Sequence, residues 1–462
     1  MRRAVASVAI VLAMAWPSTA AAEISFQWSV PEQLTGVAGA ARDVDSAARP
    51  PASVVELRSC REDARWKLDG EPATTVRRGS CTYRLDLGDA EQHVVTLEAG
   101  GESAPAPVSA RDLLIVSIGD SAASGEGNPD GPSLVHPHWL ERRCHRSMRS
   151  GAAQAALALE AGSEHSSVTF LPLACSGATI TAGLLGPYAG VQPDSRGNLP
   201  AQVAEVERLQ KRRPIDAVML SIGANDVYFA PVAMFCASTP NCPQRRFDPR
   251  RPLSEAPAGT ATAEEVHAEA QAALDGKYNR LAAALDGAGI EPGRVIAVEY
   301  PDPTRDERGQ TCRSVLPGVD VAEAEWAQST VLGPLNAELR RAATHNGWRL
   351  VDGVQEAFAR HGICAPHAKR WIVQIPESVL RGARFNGPLH PNESGHQATA
   401  AMIGPVLGDA VGFEGGTAAA EIAGTFTDEG GIEWLQVLLG ALAGALIGAA
   451  VVLIVWRRSA RS

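Results

Sequence analysis

Four short stretches of this 462-residue chain hold the residue types needed to attack an ester carbonyl. They are Gly119-Asp120-Ser121, Cys175-Ser176-Gly177-Ala178, Gly223-Ala224-Asn225-Asp226 and His390-Pro391-Asn392. A serine hydroxyl is a weak nucleophile until a neighbouring base takes its proton, and His390 is the candidate base for Ser121. The tetrahedral intermediate that follows places negative charge on the former carbonyl oxygen, which needs donors already in position. Three candidates exist: the backbone N–H of Ser121, the backbone N–H of Gly177 and the side-chain amide of Asn225. Glycine at 177 lets the main chain approach a ligand closely, because no Cβ intervenes.

These residues are useful only if secondary structure brings them together. Leu113 to Ile118 reads LLIVSI and Ala217 to Ile222 reads AVMLSI, and each run ends in glycine. Short apolar runs of this kind are what buried parallel strands look like as they leave a sheet. Functional groups in an open α/β sheet gather just beyond the carboxyl ends of such strands. Further apolar strands are expected at Val168 to Leu173, Arg294 to Tyr300 and Trp348 to Val351, with helices at Ala263 to Leu285 and Val321 to Thr344. Alternating strand and helix predicts a parallel sheet with helices on both faces.

The four blocks, in this order, resemble those of the SGNH (GDSL) hydrolase family over roughly Leu113 to Gly412. The run Gly119 to Gly127, Cys144-His145-Arg146-Ser147 and Tyr300-Pro301-Asp302-Pro303 are similar to the secreted actinobacterial-type esterase and lipase branch. The resemblance implies a flavodoxin-like three-layer αβα domain and a carboxylic ester hydrolase. It implies Ser121 as nucleophile, His390 as general base, and Ser121, Gly177 and Asn225 as the oxyanion hole, with no cofactor and no metal. Ester-bearing small molecules, lipids or acylated glycans are the implied substrates. Acyl transfer, glycan O-deacetylation and a catalytically idle, ligand-binding scaffold are the alternatives.

The chain departs from the family pattern at one point. The acid expected three residues before the histidine is Gly387, in Asn386-Gly387-Pro388-Leu389-His390. A backbone carbonyl can fix the imidazole tautomer, giving a Ser–His dyad, but it lends no negative charge. Asn386 is a possible orienting group, and Asp352 is another candidate. His396 competes with His390, but it falls inside the helix expected to begin near Glu393. Gly177 as an ordinary turn glycine and Asn225 as a helix cap are the simpler alternatives to their catalytic roles. His136, His138 and His145 have no acidic partner at metal-binding spacing, and Asp302 and Asp306 read as a polar loop rather than a calcium site.

Net charge is −10 and acidic residues are dispersed, which argues against nucleic-acid binding. Residues 1–22 carry a basic start, an apolar core and an Ala-x-Ala ending, as a secretory signal peptide does. Trp434 to Trp456 runs 23 residues without a charge. At ~1.5 Å per residue this reaches roughly 34 Å, enough to cross a bilayer. Arg457, Arg458 and Arg461 follow it and place the 457–462 tail on the cytoplasmic side. The expected product is an exported enzyme anchored in the cell membrane by a C-terminal transmembrane helix, with its catalytic domain outside.

Eight cysteines agree with export, although they can pair in about 105 ways. Sequence proximity together with the family resemblance implies Cys60–Cys81, Cys144–Cys175, Cys236–Cys242 and Cys312–Cys364. Residues 23–110 lack long helical periodicity and carry short alternating runs at Ser53 to Arg58, Ala64 to Leu68, Cys81 to Leu87 and Val94 to Glu98. They read as a small β-sandwich-like module closed by Ala104-Pro105-Ala106-Pro107. The hydrolase domain then spans 111–413, and a Gly-, Ala- and Thr-rich linker spans 414–433.

Overall fold

The computed structural model of the chain describes residues 24–49, 53–131, 137–249, 259–380 and 386–413. The expected signal peptide (1–22), linker (414–433), spanning helix (434–456) and tail (457–462) lie outside these residues. Among the described residues, no helix is long and apolar enough to cross a membrane. The chain divides into two compact units.

One unit is all-β and holds the described residues 24–30 and 53–110. Its strands are β1 (Gln27–Ser29), β2 (Val54–Arg58), β3 (Arg65–Leu68), β4 (Glu71–Pro72), β5 (Thr75–Arg77), β6 (Thr82–Asp86), β7 (His93–Ala99) and β8 (Glu102–Val108). They form two antiparallel sheets, ordered β1-β2-β6-β5 and β4-β3-β7-β8. Alternation along the strands sends Val55, Leu57, Tyr83 and Leu85 of the first sheet into one core with Trp66, Val95, Leu97 and Val108 of the second. Trp66 meets Phe26 edge-on at 5.0 Å and Tyr83 at 5.5 Å. The Ala104-to-Pro107 run, read from sequence as the module's closing segment, lies in its last strand, edge strand β8. An edge tolerates proline because the missing N–H can face away from the partner strand.

The other unit holds the described residues 31–49 and those from 111 onward. Residues 31–49 were expected in the β module. Burial explains their placement: Val44 and Ala47, on the short helix Val44–Ala47, share a core with Leu171, Val206 and Leu209. The Ala41 N–H also donates to the Phe170 carbonyl at 3.0 Å.

Five strands form the parallel sheet of this unit: β9 (Arg111–Gly119), β10 (Ser166–Pro172), β11 (Ala217–Ser221), β12 (Val295–Val298) and β13 (Arg349–Val351). Their order is β10-β9-β11-β12-β13, parallel throughout. Leu114, Val116 and Ile118 of β9 enter one core with Leu281 and Leu335 from helices. Leu113 and Ile115 enter a second core with Leu159 and Leu407. Two cores on opposite faces of one sheet make three layers. The strand order reverses between β9 and β11, and a crevice opens at such a switch point beyond the carboxyl ends of the strands.

The two long helices expected from sequence are each interrupted. Residues 263–285 lie in two helices, Ala263–Ala272 and Leu274–Gly287, the first opened by a Thr262/Glu265 capping box. Residues 321–344 pass through a π-helical stretch, Ala327–Leu332, before the helix Gly333–Asn346 begins with Pro334 in its first turn. Proline has no N–H for the preceding turn, and a wider turn accommodates that loss.

Candidate active site

Ser121 directly follows β9 and opens the four-residue helix Ser121–Ser124. The Gly119 peptide on its approach is clamped from both sides by the buried Gln202. Gln202 Oε1 accepts from the Gly119 N–H at 2.7 Å, and its Nε2 donates to the Gly119 carbonyl at 2.9 Å. The Asp120 N–H donates to the Ser221 carbonyl of β11 at 2.9 Å, which ties the turn carrying Ser121 to the neighbouring strand.

The Asp120 carboxyl is fully buried, and desolvation pushes its pKa up to about 7. It accepts from the Tyr300 hydroxyl at 2.6 Å and from the Ala122 N–H at 3.1 Å. Tyr300 in turn accepts from the Ala224 N–H at 3.2 Å. This chain of bonds links the turn carrying Ser121 to the turn carrying Asn225. The sequence had marked both Asp120 and Tyr300 by neighbourhood, but not their contact.

His390 lies on a loop before the helix Glu393–Ala410, with its Nε2 2.8 Å from the Ser121 hydroxyl oxygen. Residues 269 apart in sequence therefore meet at hydrogen-bonding distance. Part of the histidine remains in contact with solvent, yet its ring is enclosed closely enough that desolvation is the largest influence on it and lowers its pKa. The charge of Glu126 and the carbonyls of Pro388, Gly387 and Asn386 oppose that shift.

No acceptor among the described residues meets His390 Nδ1 in good hydrogen-bond geometry. The Asn386 side chain thus does not orient the ring, and Asn386 contributes only through its carbonyl. Asp352 is exposed and is not the orienting acid. His396 is buried in the helix and neutral: its Nδ1 accepts from the Gly151 N–H at 3.2 Å, its Nε2 lies 3.2 Å from the Glu126 carbonyl, and burial pushes its pKa down to about 4.

Gly177 sits in the turn after β10 with φ of +81°, a left-handed conformation that favours glycine. The Tyr188 hydroxyl, from a loop whose shape the sequence did not reveal, packs against it. Among the described residues, the Asn225 side chain makes one hydrogen bond, from Nδ2 to the Ala178 carbonyl at 2.9 Å, which leaves its second amide hydrogen uncommitted. Asn225 does not cap the next helix, whose N-cap is Tyr228. Neither the Ser121 nor the Gly177 N–H is taken by another acceptor among the described residues. Three donors thus stand on turns that follow β9, β10 and β11.

Disulfides brace this arrangement. All four implied pairs are present: Cys60–Cys81, Cys144–Cys175, Cys236–Cys242 and Cys312–Cys364. Cys144–Cys175 reinforces the turn before Gly177, where the Ser176 N–H also donates to the Cys144 carbonyl at 3.0 Å. The neighbouring Arg146 is buried and donates to the carbonyls of Ala174 (2.9 Å) and Leu173 (2.8 Å), with desolvation lowering its pKa to about 10.

Asp302 is occupied by Thr304 and Arg305, while Asp306 closes an exposed turn. No cluster of potential metal ligands occurs among the described residues.

Comparison with known proteins adds a family. The sequence profile of the GDSL-like Lipase/Acylhydrolase family matches residues 117–398, well over half the chain and all four blocks. No curated protein matches the chain. Among solved structures, the extracellular lipase of Streptomyces rimosus is 21% identical over 64% of this chain and 99% of its own, with a TM-score of 0.41. Phospholipase A1 of Streptomyces albidoflavus is 21% identical over 64% and 98%, with a TM-score of 0.40. A family two carbohydrate esterase from Clostridium thermocellum is 13% identical over 78% and 89%, with a TM-score of 0.30. The extent of the family match is decisive: this chain belongs to the GDSL-like lipase/acylhydrolase family and is a carboxylic ester hydrolase.

Proposed function

We propose that the protein hydrolyses esters of apolar acids through a covalent acyl-enzyme formed on Ser121. The 2.8 Å approach of His390 Nε2 to the Ser121 hydroxyl carries this reading. To act as base, the imidazole must hold its proton on Nδ1 and present a lone pair at Nε2. Nε2 takes the Ser121 proton as the hydroxyl oxygen attacks the ester carbonyl. The resulting oxyanion is held by the N–H groups of Ser121 and Gly177 and by the free amide hydrogen of Asn225. Collapse expels the alcohol, which leaves with the proton from His390. Water then repeats the sequence and frees the acid.

An apolar cavity supports an acyl chain as the group that the enzyme receives. It is a narrow cleft, partly open to solvent, lined by Phe229, Val232, Ala233, Trp326, Val331 and Leu389, among others. Leu389 directly precedes the base, and Phe229 lies four residues after Asn225. A methylene placed in such a cavity is worth on the order of 1 kcal/mol.

Four disulfides, together with the leader-like start and the apolar C-terminal stretch, support export and membrane anchoring. A fluorophosphonate probe tests the chemistry. Wild-type protein should be labelled at Ser121, while Ser121→Ala and His390→Ala should neither label nor hydrolyse p-nitrophenyl butyrate. Retained hydrolysis in either variant would refute the mechanism.

A further inference from the structure

His390 lacks the acid that usually precedes a catalytic histidine in sequence, yet a buried carboxylate lies close by on another segment. Glu126 comes two residues after the nucleophile's short helix, and its N–H donates to the Ser121 carbonyl at 3.1 Å. Its side chain is fully buried. Oε2 accepts from the Ser176 hydroxyl and from His145 Nδ1, each at 2.7 Å, while Oε1 has no partner among the described residues. The Glu126 main-chain carbonyl is bonded by His396.

The next residue, Gly127, is pressed against the base. A Cβ there would lie 3.2 Å from His390 Cβ and 2.6 Å from the Pro391 carbonyl oxygen. Glu126 itself touches the turn carrying Ser121, the Gly177 turn, the Cys144–Ser147 segment and the helix that follows His390.

Burying a carboxylate here is costly unless it stays paired. Desolvation does raise the Glu126 pKa, but the hydrogen bond and charge of His145, the charge of His390 and the Ser176 hydroxyl outweigh it, so the group remains ionised. His390 and Glu126 each register the other's charge. Among the described residues, the other titratable groups near the base include His145, His396 and Arg149. His145 is held by Glu126, His396 is neutral, and Arg149 is paired with Glu393. Among the described residues, Glu126 is thus the negative charge that acts on the ring.

We infer that Glu126 is a positioning residue supplying the counter-charge for the imidazolium that forms at His390, the duty an acid at position 387 would carry. Proton transfer from Ser121 creates a cation at His390 inside a poorly solvated site, where a fixed anion stabilises it without reorganisation. This inference rests on the Ser121–His390 mechanism.

Glu126→Gln keeps the shape and removes the charge. In the full chain with p-nitrophenyl butyrate, kcat should fall about 10- to 100-fold while KM changes by less than about threefold. Without the anion the imidazolium is less stable, so the acid limb of kcat/KM should move down by about one pH unit. Glu126→Asp retains the charge and should keep that limb within about 0.3 units of wild type. A loss of kcat with the acid limb unmoved would reduce Glu126 to packing and overturn the inference, as would wild-type kinetics in Glu126→Gln.

If Glu126→Gln does not fold by near-UV circular dichroism, Glu126→Asp carries the test. A fall in its acid limb as large as one unit would overturn the inference. Hydrolysis surviving in Ser121→Ala or His390→Ala would sink the underlying mechanism instead, so the two failures are distinguishable.

Discussion

The Tyr188 hydroxyl occupies the space where a side chain at position 177 would begin: a Cβ on Gly177 would lie only 2.4 Å from it. Residues 177 and 188 thus fit as a pair, with the phenol closing the turn that presents the Gly177 N–H. Burial raises the Tyr188 pKa, so the phenol stays neutral at working pH.

Gly177→Ala should therefore lower kcat by about 10²- to 10³-fold, the effect expected from displacing one oxyanion donor. Adding Tyr188→Phe removes the clashing oxygen and should recover part of that loss. Recovery stays incomplete, because the left-handed backbone at 177 still costs alanine roughly 1 kcal/mol. Steady-state kinetics on the single and double variants measure both effects. An active Gly177→Ala enzyme would show that this N–H holds no oxyanion.

Asn225→Ala should reduce kcat by about 10²- to 10³-fold with little change in KM, since the amide acts on charge that exists only after attack. Asn225→Asp should be at least as damaging, because an ionised carboxylate has no hydrogen to donate and repels the oxyanion. Loss of less than tenfold in Asn225→Ala would leave the amide only its bond to the Ala178 carbonyl.

Activity should persist into mildly acidic solution. The base must be neutral, and desolvation lowers the His390 pKa below the ordinary histidine value of about 6.5. A lowered pKa means that the imidazole accepts its blocking proton only at lower pH, so the acid limb of kcat/KM should fall below pH ~6.5. A pH–rate profile with a limb well above that value would contradict the enclosure of the ring.

Filling the apolar cavity should alter chain-length preference. Ala233→Trp places an indole among Phe229, Val232 and Leu389, and should cut kcat/KM for p-nitrophenyl octanoate by about tenfold or more. Hydrolysis of the acetate should change by less than about threefold. Equal losses on both esters would mean that the acyl chain lies elsewhere.

Much of the candidate site could be read from the chain because its residues lie just after apolar runs or just before a helix. Ser121 and Asn225 stand just beyond β9 and β11, where burial on both sheet faces enforces a mostly apolar run. His390 was separable from His396 because Asn392 caps the helix between them. Tyr188 and Glu126 escaped notice as partners because their roles depend on how loops fold against one another. Glu126 did carry a signal, an acid between two glycines just after the nucleophile, but nothing local indicates that Ser176 and His145 converge on it. The placement of 31–49 was equally hidden, since Val44 and Ala47 find their partners over 100 residues downstream.

Edge strand β8 has a consequence for how the molecule behaves among its own copies. Pro105 and Pro107 lie at alternate positions opposite Thr96 and Val94, so the donors they lack fall along the same side of the strand. Pairing with β7 continues past both, and that side is the one turned away from β7. The carbonyls of a passing strand from another molecule would find no N–H donor at either position, so this edge resists the edge-on stacking that turns exposed sheets into fibrils.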